Sequence, residues 1–151
     1  MRPISSFVHG IIDYTAAVML PVLPRQMGWS RRVTDLFDLS SLMTTASSLM
    51  TKYELGVVRV LPMDVHLKLD AVQGGLFLGA AMLMDDEDED VRECLAAYGA
   101  FCVAASLLTK TQSRVETRQA NMPMIEQRGN DVRPGAIGMT SRQHVGAAEH
   151  I

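Results

Sequence analysis

The sequence predicts an all-α protein: four transmembrane helices as two antiparallel hairpins from an internal duplication, followed by a largely disordered C-terminal tail. Three observations lead there. Apolar residues gather in four blocks of about twenty, the chain matches itself at an offset of 57–58, and the composition changes after residue 110.

The 151 residues are 48% hydrophobic and 21% charged, which suits one domain and is too apolar for a disordered protein. A formal charge of −3 lacks the basic footprint of a nucleic-acid binder, so no nucleic-acid partner is expected. On one helix, Cys94 and Cys102 would lie about 12 Å apart at about 1.5 Å per residue. A disulfide needs Cα atoms within about 7 Å, so the two do not bridge.

The blocks are residues 4–23, 33–51, 65–84 and 91–109. Twenty helical residues span about 30 Å, the thickness of a bilayer's hydrocarbon core. The first break holds Pro21, Pro24, Arg25, Gly28, Arg31 and Arg32, and the second holds Gly56 and Pro62. The third is the acidic run 85–90, read as a solvated loop because it lacks the glycine-punctuated spacing of a calcium loop. The longest stretches without a charged residue reach 16, 14 and 13 residues, short of the about 18 that hydropathy alone requires. A soluble four-helix bundle is therefore the alternative, and helix faces decide between them. Residues 94–109 are apolar or small all round, and 71–84 carry one polar side chain, Gln73. A soluble surface helix needs a polar face, so the membrane reading is preferred. The first block has no strongly basic start and no A-x-A site, and it reads as a retained span.

Small residues recur every four positions as Ala71/Gly75/Gly79, Ala96/Ala100/Ala104 and Ser40/Thr44/Ser48. Such rows let helices approach closely in lipid, and they offer faces for a homo-oligomer.

At an offset of 57, Arg2 matches Arg59, Val8 matches Val65, His9 matches His66, and Asp13 matches Asp70. At 58, Val33 matches Val91, and residues 46–52 match 104–110 at five of seven positions. A repeated R-x6-H-x3-D is hard to ascribe to chance in a chain with four histidines. The organisation expected is a first hairpin repeat over 1–52, a connecting loop over 53–63, a second repeat over 64–110 and a tail over 111–151. Each repeat holds an even number of spans. The copies therefore share one orientation about a pseudo-two-fold axis along the membrane normal, with His9 and His66 at equal depth.

The opening segment 2–14, the stretch from Pro21 through Gly28-Trp29-Ser30, and the central segment 53–70 resemble the SPW-repeat family of small bacterial integral membrane proteins. The likeness covers about residues 1–110. It implies a duplicated pair of transmembrane helices and implies no activity. The family's Ser-Pro-Trp signature is degenerate here: Pro21 and a displaced Trp29 are what remain in the first repeat, and residues 80–84 carry none of it.

On a helix, His9 neighbours Asp13 and His66 neighbours Asp70. Charged groups within a span face the protein interior and find partners, so the four are expected to form one buried cluster, with Arg2, Arg59 and Glu54 as candidates to complete it at the interface. Three roles compete: mutual satisfaction that fixes how the repeats pack, a proton or ion relay or ligand pocket, and a metal site. The third is the weakest, because no cysteine or third histidine joins. Neither metal nor cofactor is expected. Asp35, Asp38, Arg92 and Glu93 open blocks and read as helix-terminal residues interacting with the dipole. In the tail, residues 115–124 could briefly extend the fourth helix, and His144 and His150 are isolated.

No phosphate loop, nucleophile elbow, CxxC or HExxH is present, so an enzyme is not expected. The expectation is a multi-pass cell-membrane protein of structural or accessory role, partnered by membrane lipid. The alternatives are a minimal transporter, channel or sensor using the cluster as a relay, and a soluble four-helix bundle. Both termini are expected in the cytoplasm. That side then holds Arg2, Lys52, Arg59, Lys110, Arg114 and Arg118, against Arg25, Arg31, Arg32 and Arg92 opposite.

Overall fold

The computed structural model of the chain describes residues 2–122. Among them the regular structure is entirely helical: α1 (Ser6–Met27), α2 (Arg31–Met50), α3 (Met63–Leu83), α4 (Glu89–Leu108) and the short α5 (Arg114–Ala120). The four long helices match the four apolar blocks, each shifted by a few residues. α1 packs along α2 and α3 along α4, while α2 touches α3. Two of them, α1 and α4, are long and apolar enough to cross a membrane.

The first break begins later than the prolines suggest. α1 runs through Pro21 and Pro24 and stops at Gly28, whose φ of 69° is the left-handed conformation that suits a residue without Cβ. Pro21 has no N–H to give the carbonyl four residues back, which is that of Ala17. The Ser41 hydroxyl on α2 donates to it instead, at 2.6 Å. Ser5 and Ser30 accept from the amides of Val8 and Val33 and cap the starts of α1 and α2.

The two halves carry matching backbone contacts. Ile4 forms a parallel bridge with Thr109, and Leu61 forms one with Thr51. The amide of Ile4 donates to Leu108 O and that of Lys110 to Ile4 O. The equivalent pair runs from Leu61 to Met50 O and from Lys52 to Leu61 O. The strand-like lead-in to each repeat's first helix is thus held by the end of the other repeat. Helix contacts are duplicated too, with different residues. Gly74 on α3 meets Gly99 on α4 so closely that an added Cβ on Gly74 would lie 2.6 Å from the Gly99 carbonyl oxygen. Their counterparts at offsets 57 and 58 are Ala17 and Ser41, the hydrogen-bonded pair between α1 and α2.

Leu20, Val33, Phe37, Phe77, Ala81, Val91 and Leu95 form the apolar core toward the hairpin turns. Tyr53, Met63 and Leu67 close the opposite end. At the turns, Arg32 contacts Asp86 at 2.7 Å and Glu87 at 3.1 Å, and the Ser30 hydroxyl donates to Glu87 at 2.6 Å. The acidic run is therefore partly engaged: Arg32 holds the Asp86 carboxyl below its usual range by hydrogen bonding, and Glu89 and Asp90 form the first turn of α4.

Four helix-terminal expectations change. α2 starts at Arg31, so Asp35 and Asp38 lie beyond its first turn. Asp38 instead forms a two-toothed ion pair with Arg25 at 2.6 Å, and Asp35 sits beside Arg31 at 3.7 Å. In α4, the helix starts early enough that Glu89 and Asp90 take the dipole-complementing positions ahead of Arg92 and Glu93. Arg92 turns back to donate to Ala81 O at 3.0 Å.

Residues 114–120 form a separate helix rather than an extension of α4. A capping box explains it: Glu116 N donates to the Ser113 hydroxyl, and Ser113 N donates to Glu116 Oε2. The other oxygen of Glu116 accepts from Met63 N at 2.9 Å, capping α3, whose Pro62 offers no side-chain acceptor. The Ser113 hydroxyl also donates to Lys52 O. Ser113→Ala should lower stability by about 0.5–2 kcal/mol, the usual worth of a cap, and speed hydrogen exchange at the Met63 amide. Unchanged exchange there would count against the docking of α5. The disorder expected of the tail covers 111–151 apart from 115–124, and from residue 123 onward, His144 and His150 included, that expectation lies outside the described residues.

Candidate functional site

His9 and His66 are each the fourth residue of their helix, α1 and α3, and Asp13 and Asp70 lie one turn further in. Asp13 is thus about 10 Å along its helix at about 1.5 Å per residue, about a third of the way from one end of α1 to the other. All four turn inward. The histidine side chains are 1% and 0% exposed, and those of Asp13 and Asp70 are 8% and 13% exposed.

The pairing is crossed. His9 Nε2 lies 3.0 Å from Asp70 Oδ2, and His66 Nε2 lies 3.1 Å from Asp13 Oδ2. The contacts within each helix are longer, 3.5 Å for His9–Asp13 and 3.3 Å for His66–Asp70. The helical i,i+4 spacing therefore brings each histidine near its own aspartate, while the two-fold gives it the other repeat's aspartate as its nearer partner. The imidazoles meet edge to face with centroids 5.4 Å apart.

Behind each histidine stands a threonine. His9 Nδ1 is 2.9 Å from Thr109 Oγ1, and His66 Nδ1 is 2.9 Å from Thr51 Oγ1. Each threonine hydroxyl donates its single proton to a carbonyl four residues back, Ala105 O or Ser47 O, at 2.6 Å. A hydroxyl so committed can only accept from the histidine. Nδ1 therefore carries a hydrogen in both rings, and Nε2 is the nitrogen turned to the carboxylates. Asp13 has an added donor, the Ser48 hydroxyl at 3.1 Å.

Toward the core, polar groups continue along the buried face of α2. Gln73 Nε2 donates to Thr44 Oγ1 at 3.2 Å and to Tyr98 OH at 3.1 Å, and Tyr98 OH lies 3.4 Å from Ser40 Oγ. A cavity of about 20 Å³ beside Asp13, Asp70, Thr44 and Gln73 has the volume of about one water. Beyond it the interior turns apolar: Phe77 packs on Tyr98 and Phe37 with ring centroids 4.7 and 5.2 Å apart.

The expected cluster of His9, Asp13, His66 and Asp70 is thus brought together. The expected interface helpers are not. Arg2 reaches only the Thr109 carbonyl, at 3.0 Å. Arg59 donates to Gly56 O and Glu54 O within its own loop, where its φ is 52°. Glu54 accepts from Ser6 at 2.8 Å. All three lie outside the helices, in the lead-in to α1 and the loop between α2 and α3, where nearer backbone and side-chain partners take them up. The sequence places none of Thr51, Thr109, Ser48, Gln73 and Tyr98 in the cluster; it marks Ser48 as part of a small-residue row and Gln73 as a lone polar side chain. The two threonines carried a signal, since they occupy equivalent places in the matched segments 46–52 and 104–110.

The small-residue rows divide. Ser40, Thr44 and Ser48 are buried, whereas Gly75 and Gly79 have open space where a Cβ would be and Ala100 and Ala104 face outward. The close helix crossing uses Gly74 and Gly99 instead.

Chemically, the site offers two imidazole nitrogens and two carboxylates whose ligand atoms lie within 4.8 Å of one another. That set can share protons or hold a cation. No family model, curated protein or solved structure matches the chain.

Proposed function

We propose that the chain is a multi-pass protein of the cell membrane, crossing it four times, with a structural or accessory role and no catalytic one. In this reading the His/Asp cluster fastens the two repeats to each other. The observation that carries it is the outward face of every long helix. Val18 on α1, Leu42 on α2, Leu76 on α3 and Leu107 on α4 are 61–65% exposed, and Met19, Leu39 and Phe101 lie exposed among them. Contiguous apolar surface on this scale is rare on a soluble monomer, and membrane lipid covers it without cost. Arg31, Asp35 and Lys68 stay exposed near the starts of α2 and α3, while the polar Ser40, Thr44, Ser48 and His66 are buried. Composition counts the buried ones, but lipid does not meet them.

The duplicated hairpin supports membership of the SPW-repeat family as part of the same proposal. The charge bias places both termini in the cytoplasm, and the outward Gly75 and Gly79 leave a face for lipid or a second copy. A continuous proton or ion path is less well supported, because Phe37, Phe77 and Leu95, all buried, close the bundle beyond Gln73 and Tyr98.

Membranes carrying the protein should retain it through an alkaline carbonate wash and release it into mild detergent. A phosphatase active only after export should be silent when fused to the C-terminus and active when fused after Ser30. Recovery of the protein in the wash supernatant would sink the membrane reading, and the opposite reporter pattern would invert the topology.

A further inference from the structure

We infer that His9, Asp13, His66 and Asp70 form a site for one divalent transition-metal ion of the zinc class, bound by two imidazole nitrogens and two carboxylates.

The histidine-to-carboxylate distances suit a shared ion. Zinc bonds of about 2.0–2.2 Å to nitrogen and oxygen place neighbouring ligand atoms about 3.3–3.6 Å apart. The four histidine-to-carboxylate separations are 3.0, 3.1, 3.3 and 3.5 Å, and all the ligand atoms fit within 4.8 Å. Asp13 turns a different oxygen to each histidine, Oδ1 to His9 and Oδ2 to His66.

The hydrogen bonds behind the ligands point the same way. Thr109 and Thr51 each leave their histidine with hydrogen on Nδ1 and direct Nε2 inward, the tautomer that a metal-bound imidazole requires. A ligating histidine characteristically donates its other N–H to an oxygen that fixes the ring, and here both do so in the same way. Ser48 does the equivalent for Asp13. A bare Nε2 facing a carboxylate oxygen at 3.0 Å sets lone pair against lone pair. Something positive must stand between them, either a proton at each pair or one divalent ion for both. The two carboxylates carry −2, so a single M²⁺ neutralises a buried site where unpaired charge is costly.

The ligand set also selects. Imidazole with carboxylate suits zinc and its first-row neighbours, whereas calcium and magnesium favour oxygen alone. The small cavity beside Asp13, Asp70 and Gln73 has room for about one water, so an additional, exchangeable ligand can be accommodated. The ion would join the two repeats at their shared axis.

The inference concerns the cluster that the proposed function treats as a fastener, and it does not depend on membrane insertion. Full-length protein stripped with chelator, exposed to Zn²⁺ alone and desalted, should retain one zinc per chain by elemental analysis. Co²⁺ alone should give the intense visible bands of a tetrahedral ion. The double variant Asp13→Asn/Asp70→Asn should retain none, and Asp64→Asn, at an exposed pair with Lys68, should bind as the parent does. Thr51→Val or Thr109→Val should weaken binding 10–100-fold, the usual effect of removing a partner behind a ligand. Because the double variant can fail to fold, the parent is also read by itself: Zn²⁺ should raise its melting temperature and chelator should lower it. Zinc retention no greater than in the double variant, no melting shift, or the pale bands of octahedral Co²⁺ overturns the metal site. A metal-free chain that stays in the membrane leaves the fastener reading standing, and a zinc-binding chain washed off the membrane leaves the metal site standing.

Discussion

Asp70→Ala is expected to lower the stability of the protein by about 3–5 kcal/mol, the cost of removing one member of a buried, hydrogen-bonded charge pair. One oxygen of Asp70 serves both histidines, at 3.0 Å to His9 and 3.3 Å to His66. Without it the inward Nε2 of His9 loses its nearest partner and keeps only the 3.5 Å contact to Asp13. Asp13→Ala should cost a similar amount, since it strips the nearer carboxylate from His66 and the acceptor from Ser48. The two aspartates share partners, so the double variant should cost less than the sum of the singles. Thermal unfolding in detergent, followed by helical circular dichroism with chelator present, reads these groups without any bound ion. If both single variants melt like the parent, the cluster does not hold the repeats together.

The second large effect is expected at the crossing of α3 and α4. Gly99→Val should cost about 3 kcal/mol or more, at or above the top of the usual range for overpacking. A Cβ on Gly99 would lie 2.7 Å from the Gly74 carbonyl oxygen and 2.9 Å from Leu78 N. Both are backbone atoms and cannot rotate aside as a side chain would, so the helices must separate along their length. Gly75→Ala, one residue from Gly74, provides the contrast: it meets open space and should be neutral or gain up to about 1 kcal/mol of helix propensity. Equal melting temperatures for the two variants would contradict the observed register of the helix pair.

That one-residue difference marks how far the sequence can be read. The row Ala71/Gly75/Gly79 is the more regular small-residue pattern, yet Gly74 makes the contact. Adjacent residues are about 100° apart around a helix of 3.6 residues per turn, so the facing residue depends on how the partner helix crosses. Pro21 and Pro24 looked like a break for a related reason. They remove local hydrogen bonds, but Ser41, twenty residues further along the chain, repairs one of them, and a repair from another helix leaves no local trace.

The convergence of His9, Asp13, His66 and Asp70 was legible, because a repeated R-x6-H-x3-D puts the same polar groups at equivalent places on two helices, and buried charge seeks a partner. The helical character of the four apolar blocks was legible for the same kind of reason: periodicity and length are properties of the chain itself. The chain alone thus determined which side chains share a helix face and which faces correspond between the repeats. Only the tertiary structure decided that each histidine pairs more closely with the other repeat's aspartate, that Thr51 and Thr109 orient the rings, and that Arg59 bonds within its own loop while Glu54 pairs with Ser6. Spacing along a helix is set by covalent geometry and backbone hydrogen bonds. Partners across the bundle are set by the distance and angle at which helices far apart in sequence come to rest.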